Sequence, residues 1–459
     1  MSSWRSPPLG DSRQSVTSTP TSGPPRTIRW SSCWNGPARD SQTARLPTHP
    51  RGASIPIPCF AGLRFSAIAN LNEECVLVVP MTDLAAEYRS LKREIDEAVG
   101  RVLASGDYVL GDELEAFEKA FAGYVGARYA MGVGSGTASL HLALAALNLG
   151  PEDEVITVPN TDNPTASAVT HAGAKVVLAD TTPDTFTMDP QKLEEKITPR
   201  TKVIIPVHLF GHPAEMDPIC EIADRHRILV LEDSALAVGG EYRGRRTGTF
   251  GPLGCFSTAP GKILGGYGDG GMVVTNDPDL ARRIRVLRNY GHAPGLRLSG
   301  RDLTGGTGWK VLEEGFNQRL DTIQAAILAA KLPTLEDRIA GRRRAAALYR
   351  ALFADTPVTA VHEAPWARHV YFAYNAMVPE GVRDQAREYL ASQGVASRLY
   401  YNPPLHLHPA FRWMGLGPGS FPVAEKTASR MIGLPCFPQI TESQVEEAAA
   451  TLLDFLGTG

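Results

Sequence analysis

From Val76 onward, short apolar runs alternate with longer stretches whose apolar residues recur every three or four positions. The runs are EVITVP, KVVLAD, KVIIPVH, ILVLED and GMVVTND. Each is short and almost wholly apolar, as expected of a strand buried on both faces. Between them lie TASAVTHAGA, DPQKLEEKI and MDPICEIADRHR, which carry the helical period. Ahead of them, VLVVP reads as a strand or extended arm and LAAEYRSLKREIDEAVGRVLAS as one amphipathic helix. In DELEAFEKAFAGYVG, Leu114, Phe117, Phe121 and Tyr124 fall near helical spacing behind Asp112, a candidate cap. Strand, helix, strand in this rhythm predicts an α/β layer with a mostly parallel sheet flanked by helices. The texture changes near Leu335. GRRRAAALYRALFAD is helical, HVYFAYNAMV is a strand and VEEAAATLLDFL is a closing helix. A large α/β domain over 76–334 and a smaller C-terminal α+β domain over 335–459 are therefore expected. No internal repeat is visible.

Residues 1–75 differ from the rest. Arginines recur there without a single lysine, among many Ser, Pro and Thr residues, and no helical or strand period is sustained. Three readings fit: a disordered extension, an organelle transit peptide, or a start codon assigned too far upstream.

Composition narrows the function classes. In 459 residues, hydrophobic content of 43% and charged content of 21% are ordinary for a globular protein. A net charge of −3 supplies no global basic field for nucleic acid or an anionic membrane. No apolar run is long enough to span a bilayer. The six cysteines are scattered, without the CxxC spacing of a zinc or redox site. Reduced thiols in a cytoplasmic setting and no metal centre are expected.

One stretch stands out chemically: Ser257 to Gly271, STAPGKILGGYGDGG, which sets Lys262 among glycines. A Walker A loop is ruled out, because no glycine stands five positions before Gly261 and Ile263 replaces the hydroxyl residue. Gly266, Gly268 and Gly271 match GxGxxG, but they run into the strand MVVTN rather than opening a helix. Two readings remain for Lys262. It is a solvated surface lysine, or an amine held for covalent chemistry where its surroundings disfavour its charge. Asp233 ends the run ILVLED, at the carboxyl edge where ligands of open sheets gather. It suits either a helix cap or a partner for a protonated ring nitrogen. In GVGSGTASLHLALAAL, Gly136 and Thr137 precede an apolar helical set. They form either an ordinary cap or a phosphate cup at a helix start.

Together these motifs resemble the nucleotide-sugar aminotransferases of the DegT/StrS type. The resemblance runs from about Val79 to the C-terminus through SGTASLHLAL, EDEVITVPNT, DTFTMDP, IIPVHLFGHPAEMD, LVLEDSA, FSTAPGKILGGYGDGG, LRNYGH, GFNQRLDTIQAA and PPLHLHPAF. It implies fold type I and pyridoxal 5'-phosphate. It implies that Lys262 forms the Schiff base and shuttles the proton. Asp233 would hold the pyridinium nitrogen, and Gly136, Thr137 and Ser257 the phosphate. Asn317 would reach the phosphate of a neighbouring subunit, which implies a homodimer with shared active sites. His406 would line the sugar pocket. The implied reaction passes the amino group of glutamate to a keto sugar, most simply a nucleotide-linked one, for amino-sugar biosynthesis. The lysine argues against the dehydratase branch, where histidine takes its place.

Two positions depart from the family pattern. Leu236 stands where Gln is common, and Asp162 where an aromatic residue usually stacks on the ring. They keep open a cyclitol or other keto substrate, a lyase, or a non-catalytic regulatory relative.

Overall fold

The computed structural model describes residues 79–293 and 310–458. The segment read as disordered or mis-assigned lies outside the described residues, as do Cys33, Cys59 and Cys75. The first described residue, Val79, is an extended arm that pairs in parallel with Val395.

A seven-stranded sheet forms the centre. Its strands are β1 (Tyr129–Val133), β2 (Glu154–Thr157), β3 (Lys175–Leu178), β4 (Thr201–Ile204), β5 (Leu229–Asp233), β8 (Leu253–Ser257) and β9 (Gly271–Thr275); the short pair β6 (Glu241–Tyr242) and β7 (Arg245–Arg246) lies outside it. The order is β1-β9-β8-β5-β4-β2-β3. The pairs β2/β3, β2/β4, β4/β5 and β5/β8 are parallel, while β9 runs against both β8 and β1. The mostly parallel α/β sheet expected from the apolar runs is present. Crossover helices cover it, among them α4 (Gly136–Ala145), α5 (Asn163–His171) and α7 (Met216–His226). Sidedness follows: β1, β2, β4, β5 and β8 all end at one edge, and β9 begins there.

Two sheet strands lack a clear apolar signal, and glycine is the reason. A β-carbon on Gly132 of β1 would lie 2.8 Å from Leu114 Cδ1. On Gly254 of β8 it would collide with the carbonyl of Gly248. Close packing, by leucine side chains at Gly132 and by backbone at Gly254, demands glycine there and breaks up the run. The first helix is also shorter than its period. It divides into α1 (Leu84–Ser90) and α2 (Lys92–Ser105) at Leu91, whose N–H bonds Tyr88 O at 3.1 Å. Asp112 is the first residue of α3 (Asp112–Val125) rather than its cap, which is Gly111.

The C-terminal layer packs α10 (Leu335–Leu352), α11 (Arg383–Ser392) and α13 (Glu442–Phe455) with the antiparallel pair β11 (Tyr374–Met377) and β12 (Met431–Leu434). Tyr349 and Tyr374 stack at 4.6 Å in its core, beside Val79 and Val395. Arg342, buried, donates to the carbonyls of Phe372 and Cys436, and the Phe372 N–H bonds Phe210 O at 2.8 Å, which ties this layer to the loop after β4.

Buried histidines at this junction make stability pH-dependent. His212 donates from Nδ1 to Pro213 O at 2.7 Å, and its Nε2 accepts the Ala364 N–H at 3.1 Å. A second proton would abolish that acceptor. Burial pushes the His212 imidazole down to about 4, and pushes His369, 5.3 Å away, well below the usual range. The unfolded chain takes up these protons near pH 6.5 while the folded chain resists, so stability falls as pH falls from there toward 4. His212 alone accounts for a loss of about 2 kcal/mol between pH 7.5 and 5. Urea midpoints at the two pH values are expected to show this loss, with a smaller slope for His212→Gln. Equal slopes would contradict it.

Candidate active site

Loops from the carboxyl edge of the sheet enclose a cavity of about 220 Å³. Ser135, Gly136 and Thr137 line it from the start of α4, Asp162 and Thr165 from α5, Asp233 and Leu236 from the end of β5, and Ser257 and Lys262 from the loop after β8. Val207 and Tyr401 complete its apolar walls. A larger cavity, about 670 Å³, lies between α3 and the Arg285–His292 stretch and shares no residue with this one.

Asp233 sits where β5 leaves the sheet, and its geometry is fixed from several sides. Its Oδ2 accepts the Thr165 hydroxyl at 2.8 Å, and Oδ1 accepts the Ala235 N–H at 3.1 Å. Its own backbone bonds Pro206 O and the His208 N–H, both at 3.0 Å. Burial pushes its carboxyl above the usual range, while Thr165, Ala235 and Lys262 pull the other way. The adjacent Glu232 has a structural task. It accepts the N–H groups of Gly248, Phe250 and Gly251 at 2.7, 2.5 and 2.8 Å. His208 Nδ1 accepts the Ala214 N–H, so its Nε2 carries the proton donated to Glu232 at 3.0 Å.

Lys262 projects from a loop closed on itself. Its N–H bonds Ala259 O at 3.1 Å, and the Gly266 N–H bonds Thr258 O at 2.7 Å. Gly261 adopts φ +84°, which favours glycine. The other glycines serve contacts between chain segments. Gly266 and Gly268 face Gln324, and a β-carbon on Gly271 would collide with Ser135 O. Burial pushes the Lys262 amine below its usual value, opposed by Asp233 and then Asp162. Its Nζ lies 4.8 Å from the centre of the Phe372 ring. This is the environment of a lysine able to release its proton, and the surface reading of Lys262 is set aside.

Ser135 is the N-cap of α4, its hydroxyl accepting the Ala138 N–H at 3.0 Å. The Gly136 and Thr137 amides belong to the first turn, which has no intrahelical acceptors, and the helix dipole favours an anion beside them. A β-carbon on Gly136 would lie 2.7 Å from Ser257 Cβ. Gly136→Ala is therefore expected to push the two sides of the cup apart. Overpacking of about 1–3 kcal/mol, if it falls on the binding step, translates to roughly 5- to 150-fold weaker pyridoxal phosphate binding. Fluorescence titration of cofactor-free protein measures this, and parent-like affinity would contradict it.

Asn317 is exposed and lies outside the Lys262 cavity. It lines a neighbouring recess with His141, His171 and Gln318 that shares Ser135 and Thr137 with it. His406 is not at the cavity either. It is buried against Phe421, and its Nε2 meets Glu425 Oε1 at 3.0 Å. Asp162, at the family's aromatic position, caps α5 and accepts the Asn163 N–H at 2.8 Å. Thr165 and Tyr401 carry no sequence signal of their own. The only hint for Thr165 is a small hydroxyl residue within the first turn of a helix beside the sheet edge.

Known proteins resemble the chain in sequence and in fold. A "Pleiotropic regulatory protein" of Geobacillus stearothermophilus is 40% identical over 380 residues, 82% of this chain and 98% of that one. The dTDP-3-amino-3,4,6-trideoxy-alpha-D-glucose transaminase of Streptomyces venezuelae is 42% identical over 367 residues, 80% of this chain and 93% of that one. Among solved structures, S. venezuelae DesV in complex with a ketimine intermediate superposes with a TM-score of 0.77 at 40% identity, covering 82% of this chain and 98% of that one. Residues 89–453 match the DegT/DnrJ/EryC1/StrS aminotransferase family, and the chain belongs to that family, as the motifs suggested.

Proposed function

We propose that this protein transfers the amino group of glutamate to a keto carbon of a nucleotide-linked sugar. The observation that carries the reading is the single cavity in which a buried carboxylate, Asp233, and a desolvated amine, Lys262, share space with an open helix start. Pyridoxal phosphate is the cofactor of this family, and the residues present suit it. The cup has no β-carbon at Gly136, where one would crowd Ser257, and it offers the hydroxyls of Thr137 and Ser257, which suits a phosphate. The depth of Asp233 matches a ring nitrogen. When bound, the cofactor supplies an aldehyde that takes up amines and a ring that absorbs an electron pair.

The chain's own residues then have separable tasks. Gly136, Thr137 and Ser257 would hold the phosphate. Asp233, oriented by Thr165 and Ala235, would keep the ring nitrogen protonated, because a nearby opposite charge favours the charged form. Lys262 would move a proton as general base and then acid. Leu236, Val207 and Tyr401 limit water. A cyclitol or other keto ring is the second reading, supported by Leu236 and Asp162. Incubation with ¹⁵N-glutamate and a panel of nucleotide-linked keto sugars and keto cyclitols separates the two. Label in a sugar supports the first reading, label only in a cyclitol the second, and no transfer counts against both.

The active unit in this reading is a homodimer. Among the described residues lining the cavity, Lys262 is the only cation, set against Asp162, Asp233 and Asp269. A phosphate and a nucleotide diphosphate need more polar and positive contacts, and Asn317 of a second copy would supply one. Mixing inactive Lys262→Ala with Asn317→Ala chains is then expected to restore about a quarter of parent activity through hybrid dimers. A mixture no more active than its parts would contradict a shared site. The free thiols Cys220, Cys255 and Cys436 support a reducing, cytoplasmic setting. Among the described residues no helix is long and apolar enough to cross a membrane. The boundary near 335, with separate large and small domains, remains part of this proposal.

A further inference from the structure

A second lysine, Lys331, is buried at the far end of α9 (Thr322–Lys331), with 1% of its surface exposed. Its ammonium donates to the carbonyl of Gly265, three residues beyond Lys262, and pairs with Glu87 of α1. It also lies 4.9 Å from the centre of the Tyr267 ring. Glu87 is shared with Arg338 of α10, at 2.9 Å. Two cations thus face one carboxylate in the interior, which is a costly arrangement for a purely structural contact. Burial pushes the Lys331 amine down to about 8, and Arg338 adds to this, while Glu87 opposes it. An apolar side chain of similar length would fill the same space without that cost.

Gln324 stands seven residues earlier, two helical turns away on the same face of α9. Its Oε1 accepts the Tyr267 N–H at 2.8 Å. A β-carbon on Gly266 or Gly268 would lie 2.7 or 2.9 Å from its amide group. Gly265 itself packs on the backbone of the lysine turn, where a β-carbon would lie 2.8 Å from Ala259 O and 3.3 Å from Lys262 N. One face of one helix therefore grips three consecutive residues, 265–267, of the loop that carries Lys262.

We infer that Gln324 and Lys331 are positioning residues for Lys262, two pins from α9 that fix the base of the glycine loop so that the Lys262 amine faces Asp233. The inference rests on the reading of Lys262 as the cofactor-bearing lysine. It also accounts for Gly266 and Gly268, which let the loop lie against Gln324. The charged cluster that supports Lys331, Glu87 with Arg338, couples α1 and α10 to the same loop.

The test uses Lys331→Met, Gln324→Ala and the conservative Lys331→Arg in the full chain. Amide hydrogen exchange of residues 258–268 in cofactor-free protein is expected to accelerate about tenfold or more in K331M and Q324A, with strands β4 and β5 unchanged, and to stay near parent in K331R. In the holoenzyme, the pH midpoint of the visible cofactor band is expected to shift in K331M and Q324A but return toward parent in K331R. A drop in kcat of about tenfold is expected with glutamate KM little changed. If K331M does not fold, Q324A alone decides, since it leaves the buried ion cluster whole. Parent-like exchange and band position in Q324A, or in a folded K331M, would overturn the inference. A parent protein without any visible band would instead sink the reading of Lys262, and the exchange experiment would still stand.

Discussion

Lys262→Ala protein is expected to lose at least about 10⁴-fold in kcat while remaining folded. The size follows from two tasks resting on one amine. Lys262 is the only basic side chain among the described residues lining the cavity, so no neighbour replaces it in covalent attachment or in moving the proton. Its side chain is largely enclosed and, among the described residues, its Nζ donates to no backbone carbonyl, so truncation leaves the loop contacts of Ala259, Gly265 and Gly266 in place. Melting by circular dichroism is expected to match the parent closely. Residual turnover within tenfold of the parent would mean that another amine carries the cofactor.

Asp233→Asn is expected to reduce kcat by about 10²–10⁴-fold. Asparagine keeps the shape: its oxygen can accept the Ala235 N–H while its NH2 donates to the Thr165 hydroxyl, which turns to accept. What it loses is the negative charge that holds a ring nitrogen protonated. The same charge is a burden on the empty protein. Burial raises the Asp233 carboxyl above its ordinary value. Above the unfolded pKa, therefore, ionising it in the fold costs stability, and the cost grows as pH rises through the folded pKa. Cofactor-free Asp233→Asn protein is thus expected to melt no lower than the parent at pH 7.5, despite its poor turnover. A stability reserve given up for function is common at active sites. A variant that is both active and less stable would reverse this account.

How far the site could be read from the chain depends on how local each signal is. Asp233 was legible because an apolar run stops at it, and open sheets bind at that edge. Lys262 was legible because glycines isolate it; Gly266 and Gly268 pack against Gln324, and Gly271 against Ser135. Gly136 and Thr137 were marked by the helix that follows. Asn317 carries no local signal, and only the resemblance pointed to it. Thr165, Tyr401 and the pair Gln324 and Lys331 meet the site through contacts between distant segments, Thr165 with Asp233 across 68 positions. Periodicity carries no record of such contacts. The fold shows the same division. β2 to β5 read directly as apolar runs, whereas β1 and β8 are interrupted by glycines that tertiary packing requires. The break at Leu91 is likewise invisible to a period that continues through it.

Asp162 shows where a family pattern and local physics part. Its carboxylate caps α5, a task an aromatic residue at that position would not perform. It also lies close enough to Lys262 to hold the amine's proton more firmly. The substitution therefore changes the electrostatics of the cavity as well as its shape.

The central claim is that Lys262 and Asp233 operate a pyridoxal phosphate that accepts the amino group of glutamate. The most direct test is the visible absorption spectrum of purified protein with pyridoxal phosphate, before and after L-glutamate. The account predicts a Schiff-base band in the parent, absent in Lys262→Ala, that glutamate converts to the pyridoxamine form. A bound cofactor whose band glutamate leaves unchanged would contradict the donor, and no band at all would contradict the site.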